Sequence, residues 1–104
     1  MAQLFETFEL RELEVRNRLW VAPMCQYSAG ADGIATEWHR QHLGTLARGG
    51  AGLVCIESTA VLPEGRISPA DLGLWNDAQA ERLAELVEVM HGFGARVGVQ
   101  LNHA

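Results

Sequence analysis

A thiol and a phenol stand two residues apart in "VAPMCQYSAG" (21–30), where Cys25 and Tyr27 follow a β-rich run broken by Pro23. That pairing is either packing at a turn or the rim of a reactive pocket. Two other β-rich runs also end in polar groups: Glu57-Ser58-Thr59 and Gln100-Leu101-Asn102-His103. The interiors of all three runs are apolar. In folds with parallel strands, sites form at the C-terminal strand ends. Three polar ends on apolar strands therefore point to one shared pocket.

Gln100 is the sharpest single residue. An amide on an apolar strand must find partners, because burying it bare costs about 1–3 kcal/mol. It offers a donor and an acceptor together, which suits the edge of a heterocycle carrying C=O beside N–H. The plainer alternative is a bond to a neighbouring loop. His39 and His42 are three apart on a helical pattern and share a face, but no H-E-x-x-H and no nearby third ligand accompany them, so no metal is expected. His91 falls at a helix end, where it complements the dipole. His103 sits at a strand end without an evident partner. "GGAG" (49–52) precedes a strand, whereas a dinucleotide fingerprint follows one. For Cys55, inside "AGLVCIE", a small packed thiol is the reading, and the same reading is the commoner one for Cys25.

The elements that must position these groups alternate along the chain. Residues 4–16 read as a hairpin and 18–24 as a strand. "GADG" (30–33) is a turn, and a helix runs from a Thr36 cap to Arg48 before Gly49-Gly50. On that helix Trp38, His42 (or Gln41), Thr45 and Leu46 fall on related faces. A continuous apolar strand covers 51–57, and a polar surface connection covers 58–75. A second helix follows, capped by Asn76 or Asp77, with the stripe Ala80, Leu83, Ala84, Leu86, Val87 and Met90. Gly92 and Gly94 end it, and a third strand covers 95–101. Hairpin, then β-α-β-α-β, implies an α/β fold with a parallel sheet. A doubly wound sheet and the opening of an eight-stranded β/α barrel both fit, and a complete barrel needs roughly 250 residues.

Composition narrows the classes. The chain has 104 residues, 48% of them hydrophobic and 20% charged, which fits one modest globular core. A net charge of −5 with scattered arginines argues against nucleic-acid binding. No run of about 18 apolar residues suggests a membrane span. The N-terminus lacks the pattern of an export signal, so the two cysteines are expected reduced and the protein cytoplasmic.

The blocks "APMCQYSA", "WHRQHLGTLARGGAGLVCIESTAV", "PEGRIS", "DLGLW" and "QLNHA" together resemble the old yellow enzyme family. They are most similar to its branch with a cysteine after the first strand, the thermophilic-like ene reductases, from about Leu4 to Ala104. The resemblance implies a flavin-containing (β/α)8 TIM barrel. Residues 1–104 would then be an incomplete domain: its N-terminal hairpin, first three strands and first two helices. It also implies reduction of the activated C=C bond of an enone-type substrate through FMN, with NAD(P)H as reductant. By position, the backbone of Ala22, Pro23 and Met24 would lie against the isoalloxazine, and Cys25 would tune its redox-active edge. Tyr27 would line the substrate pocket, and Gln100 would bond the pyrimidine edge. Ser58 would bring its backbone to the flavin where relatives often carry alanine. The family's substrate-binding histidines, proton-donating tyrosine and phosphate-gripping loops would lie beyond residue 104, leaving this stretch incompetent alone. A homo-oligomer is expected. The competing expectation is a catalytically inactive partial barrel that self-associates or complements another chain, driven by its apolar edges.

Overall fold

Phe8–Leu10 (β1) and Leu13–Val15 (β2) alternate apolar and polar residues and pair antiparallel, with Phe8 opposite Val15. Arg11, at φ 55, supplies the left-handed turn that a two-residue hairpin connection requires. The computed structural model describes residues 3–104. The expected hairpin over 4–16 is narrower in the structure, since Gln3–Phe5 form a 3-10 turn ahead of it, and only Val15 among its strand residues is buried.

The first parallel strand is shorter than the expected 18–24. Only Trp20–Val21 (β3) pair, in register with Leu53 and Val54, because the chain leaves the sheet ahead of Pro23, which has no N–H to give. Glu37–Arg48 (α1) begins after an extended Thr36. Its buried face is His39, Leu43, Gly44 and Ala47. Trp38 and Thr45 turn outward while Leu46 packs at the margin of the core, and Trp38 stacks on His42 with centroids 6.3 Å apart.

Leu53–Ala60 (β4) is the central strand and runs three residues past the expected end. The connection after it is not a plain surface loop. It forms a 3-10 turn at Pro63–Gly65, then returns to the sheet as Leu72–Gly73 (β5), parallel to Thr59–Ala60. Asp71 makes this possible: its buried carboxylate accepts from the Ile67 and Ser68 amides at 2.8 and 3.2 Å and from Ser68 Oγ at 2.7 Å. Leu72 next to it is fully buried. A polar composition had suggested solvent, but the polar groups satisfy one another.

Asp77–Gly92 (α2) starts from Asn76, whose Oδ1 accepts the Gln79 amide at 2.9 Å. Leu83, Leu86 and Met90 of the expected stripe enter the core and Val87 packs at its margin. Ala80 and Ala84 instead line an open apolar groove of about 420 Å³ with Val97 and Val99. Arg96–Asn102 (β6) pairs parallel with β4 along its length. Apart from the two-residue β5, which flanks the end of β4 on the side away from β6, the order β3-β4-β6 follows the chain, and α1 and α2 pack against each other. That is barrel progression; a doubly wound sheet needs a reversal of order.

The opposite end is closed by Arg16. Its guanidinium donates to Phe93 O at 2.5 Å, Ala47 O at 2.9 Å and Ala51 O at 2.8 Å. One side chain thus gathers the C-terminal ends of both helices.

Candidate functional site

The ends of β3, β4 and β6 meet at one side of the sheet, as parallel strands require. Between Ile56, paired with Val99, and Thr59, paired with Leu101, β4 carries one residue more than β6. This bulge falls at Glu57-Ser58, directly beside Gln100. It breaks the alternation of β4, so Glu57, Ser58 and Thr59 are all buried. Cys25 reaches the same place from β3, because the Gln26 amide next to it donates to Glu57 Oε1 at 3.3 Å. Cys25, Ser58 and Gln100 therefore form one contiguous wall.

The turn that carries Cys25 is tied at Gln26. Its amide donates to Glu57 Oε1 at 3.3 Å, and its Nε2 donates back to Met24 O at 2.9 Å. Gln26 Oε1 accepts from Trp38 Nε1 at 3.1 Å, and Gln26 O accepts from Ser28 Oγ at 2.9 Å. So restrained, Tyr27 takes the left-handed region at φ 52 and leaves its ring 58% exposed. Ala22 and Met24 are also exposed, and Pro23 and Cys25 are half-buried. The wall faces outward and is open.

Burial pushes the Cys25 thiol above its ordinary value, with the Asp71 and then the Glu57 carboxylate adding to the rise, while backbone hydrogen bonds at Ser58 pull the other way. The thiol therefore stays protonated at neutral pH. It is then an S–H donor and a soft, polarisable contact. Cys55 is raised as well, by burial alone.

Two expected positions behave differently from the sequence reading. Gln100 is exposed and its amide makes no hydrogen bond among the described residues, because β6 has a neighbour on one side only. Both halves of that amide are therefore free for a heterocycle edge. Ser58 is a buried residue whose Oγ also lacks a partner. His39 and His42 diverge, one fully buried and the other beside Trp38, and no cluster of metal-binding side chains occurs among the described residues. His103 packs against Gly65 of "PEGRIS", where a Cβ would lie 2.5 Å from its Nδ1, and Ala104 N donates to Gly65 O at 2.8 Å. Gln26, His39 and Asp71 were missed as site-building residues. Glu57, a carboxylate closing an apolar run, carried the same signal as Gln100.

A family model described as the NADH:flavin oxidoreductase / NADH oxidase family matches residues 3–104. An NADPH dehydrogenase of Listeria welshimeri is 49% identical over 105 residues, covering 100% of this chain and 31% of that protein. Among solved structures, the old yellow enzyme homologue from Zymomonas mobilis superposes with a TM-score of 0.88 at 30% identity, over 98% of this chain and 28% of that one. A morphinone reductase in complex with tetrahydroNAD gives 0.87 at 30% identity, over 99% and 28%. The chain spans about 31% of the length of the first curated relatives it matches. No helix among the described residues is long and apolar enough to cross a membrane.

Proposed function

Because the chain belongs to the NADH:flavin oxidoreductase / NADH oxidase family, we propose that it forms one wall of the FMN site of an NAD(P)H-dependent oxidoreductase that reduces activated C=C bonds. Its hairpin, three long-order strands and two helices are the N-terminal part of the old yellow enzyme β/α barrel, and residues 1–104 are read as one portion of that larger domain. The observation that carries the reading is the juxtaposition of Cys25, Ser58 and Gln100 across three strand ends, with the Gln100 amide and Ser58 Oγ both unpartnered.

These groups fit a flavin. Gln100 would hold the pyrimidine edge, where its donor and acceptor match N–H and C=O together. Ala22 and Met24 are exposed on either side of a half-buried Pro23, so this segment is open to a planar ring laid against it. Ser58 would approach the ring by its backbone, and Cys25 would present its S–H to the redox-active edge. Bound FMN supplies the hydride relay between NAD(P)H and an α,β-unsaturated carbonyl compound. Tyr27, lifted outward on its left-handed turn, lines the space that the substrate enters.

The test joins residues 1–104 to the remaining barrel of the Listeria welshimeri relative. The fusion is expected to be bleached by NADPH and recoloured by 2-cyclohexenone. Bleaching without recolouring by any enone would reject the C=C assignment. In the same fusion, Cys25→Ala is expected to retain FMN and to shift its two-electron potential by roughly 20 mV, the equivalent of one neutral hydrogen bond. Loss of FMN would make Cys25 a structural residue instead.

A second reading has one observation in its favour. Val99 and Leu101 on the edge strand are 38% and 55% exposed beside the 420 Å³ apolar groove. The isolated chain would then associate with itself or with a complementary chain, and light scattering would give a mass that rises with concentration.

A further inference from the structure

Beneath the Cys25 turn lies a polar pair that an apolar sheet has no reason to bury. His39 is fully buried on α1, and Glu57 is 3% exposed on β4. The tautomer of His39 follows from its neighbours. Thr36 N donates to Nδ1 at 2.9 Å, and Thr36 Oγ1 donates to Ser28 O at 3.1 Å, so Nδ1 is an acceptor. The ring proton is thereby assigned to Nε2. Nε2 lies 3.7 Å from Glu57 Oε1, too far for a hydrogen bond, and makes none among the described residues. With the proton so placed, the pair is an N–H facing a carboxylate, not two opposite ions. The same Oε1 accepts the Gln26 amide at 3.3 Å.

We propose that His39 and Glu57 are the positioning residues of the Cys25 site: the imidazole backs the carboxylate, and the carboxylate fixes the Gln26 backbone next to Cys25. The catalytic meaning of this rests on the flavin reading above, but the geometry does not. Helix α1 enters the arrangement at its first turn, where His39 is also the residue that caps the Thr36 amide. The strand bulge enters it by turning Glu57 into the interior. A single oxygen therefore couples three elements: the β3 turn, the start of α1 and the middle of the sheet. The buried carboxylate thus accepts one hydrogen bond, from the Gln26 amide, and faces the imidazole N–H across 3.7 Å.

Around the Cys25 sulfur the charged groups are Glu57 from β4 and Asp71 from the connection before β5, with His39 behind Glu57. Asp71 is pinned by Ser68 and Ile67 and stays in place when Glu57 is changed. Removing one of two nearby negative charges favours the thiolate. Glu57→Gln should therefore raise the rate of Cys25 alkylation by iodoacetamide at pH 8 by roughly threefold, with the pH midpoint moving down. It keeps an oxygen for the Gln26 amide, whose hydrogen exchange should not change. His39→Asn preserves an acceptor for Thr36 N and removes the donor facing Glu57. It should speed Gln26 amide exchange by roughly tenfold while the helical circular dichroism of α1 persists.

Peptide mapping separates Cys25 from Cys55 in the alkylation assay. An unaltered Cys25 pH profile in Glu57→Gln, or unaltered Gln26 exchange in His39→Asn, would overturn the proposal and leave His39 as a helix cap alone. Should either variant fail to fold, exchange in the unmodified chain decides. The Gln26 amide must be protected well beyond that of Tyr27, which has no partner among the described residues, and equal rates would overturn the pair. Both readouts are free of flavin. Failure to bind FMN would reject the proposed function while leaving this result standing.

Discussion

Arg16→Met is expected to destabilise the chain by about 3 kcal/mol or more, measured as a lower midpoint of urea denaturation at unchanged slope. Methionine fills a similar volume, so the loss comes from hydrogen bonding and charge. Of the three carbonyls that Arg16 holds, Phe93 O is exposed and water replaces that bond at little cost. Ala47 O and Ala51 O are partly buried, and each loses a charge-assisted bond. Ala47 and Phe93 close α1 and α2, so the guanidinium also sits at the negative ends of two helix dipoles. Gly94 shows how tightly the group is held. At φ +89 its built Cβ would lie 2.6 Å from Arg16 Nη1. Arg16→Lys keeps the charge but can reach fewer carbonyls, and should recover less than half of the loss. A wild-type midpoint for Arg16→Met would mean that helix packing alone closes this end.

Gln79→Leu should cost about 3 kcal/mol and loosen the loops around the site. Gln79 is 1% exposed, and its Oε1 accepts from Trp75 N at 2.7 Å and Asn76 N at 3.2 Å. Its Nε2 donates to Asp32 O at 2.8 Å, forty-seven residues away in sequence. Leucine is close in size, so no cavity opens. Two backbone amides and one carbonyl instead lose their partner, at about 1–3 kcal/mol for each that stays dry. Gly33 leaves room for the amide, since a Cβ there would stand 2.8 Å from Nε2. Arg66 Nη1 donates to Ala31 O at 2.9 Å in the same turn, so a second tie remains. The expected signature is faster exchange of the Trp75 amide together with a lower melting temperature. Unchanged Trp75 exchange would contradict it. Gln79→Glu keeps both acceptor bonds but sets a buried carboxylate oxygen against the Asp32 carbonyl, and should cost at least as much as leucine.

Arg16 and Gln79 also mark where the sequence stops being informative. Helix periodicity placed Leu83, Leu86 and Met90 in the core, because apolar spacing is a direct record of one buried face. The same logic passed over Gln79 and His39, since a polar residue on the buried face reads as an interruption until its partners are known. The polar ends of the strands were legible for the opposite reason: Gln100 and Glu57 are out of place in apolar runs. Their fates differ because Glu57 lies on a central strand and Gln100 on an edge. The return of Leu72–Gly73 to the sheet was not legible at all. It depends on Asp71 meeting Ile67 and Ser68 in a turn, a local polar closure that hydropathy cannot register. The bulge at Glu57-Ser58 is likewise a register property of two strands and appears in neither alone.

The claim that this chain is a flavin-site wall is tested most directly by the flavin content of the fusion to the Listeria welshimeri barrel remainder. Protein and flavin absorbance, read on the purified fusion after gel filtration, give the ratio. One FMN per chain is the predicted result, falling when Gln100 is changed to alanine. A folded fusion that elutes colourless and stays so with added FMN would contradict the account.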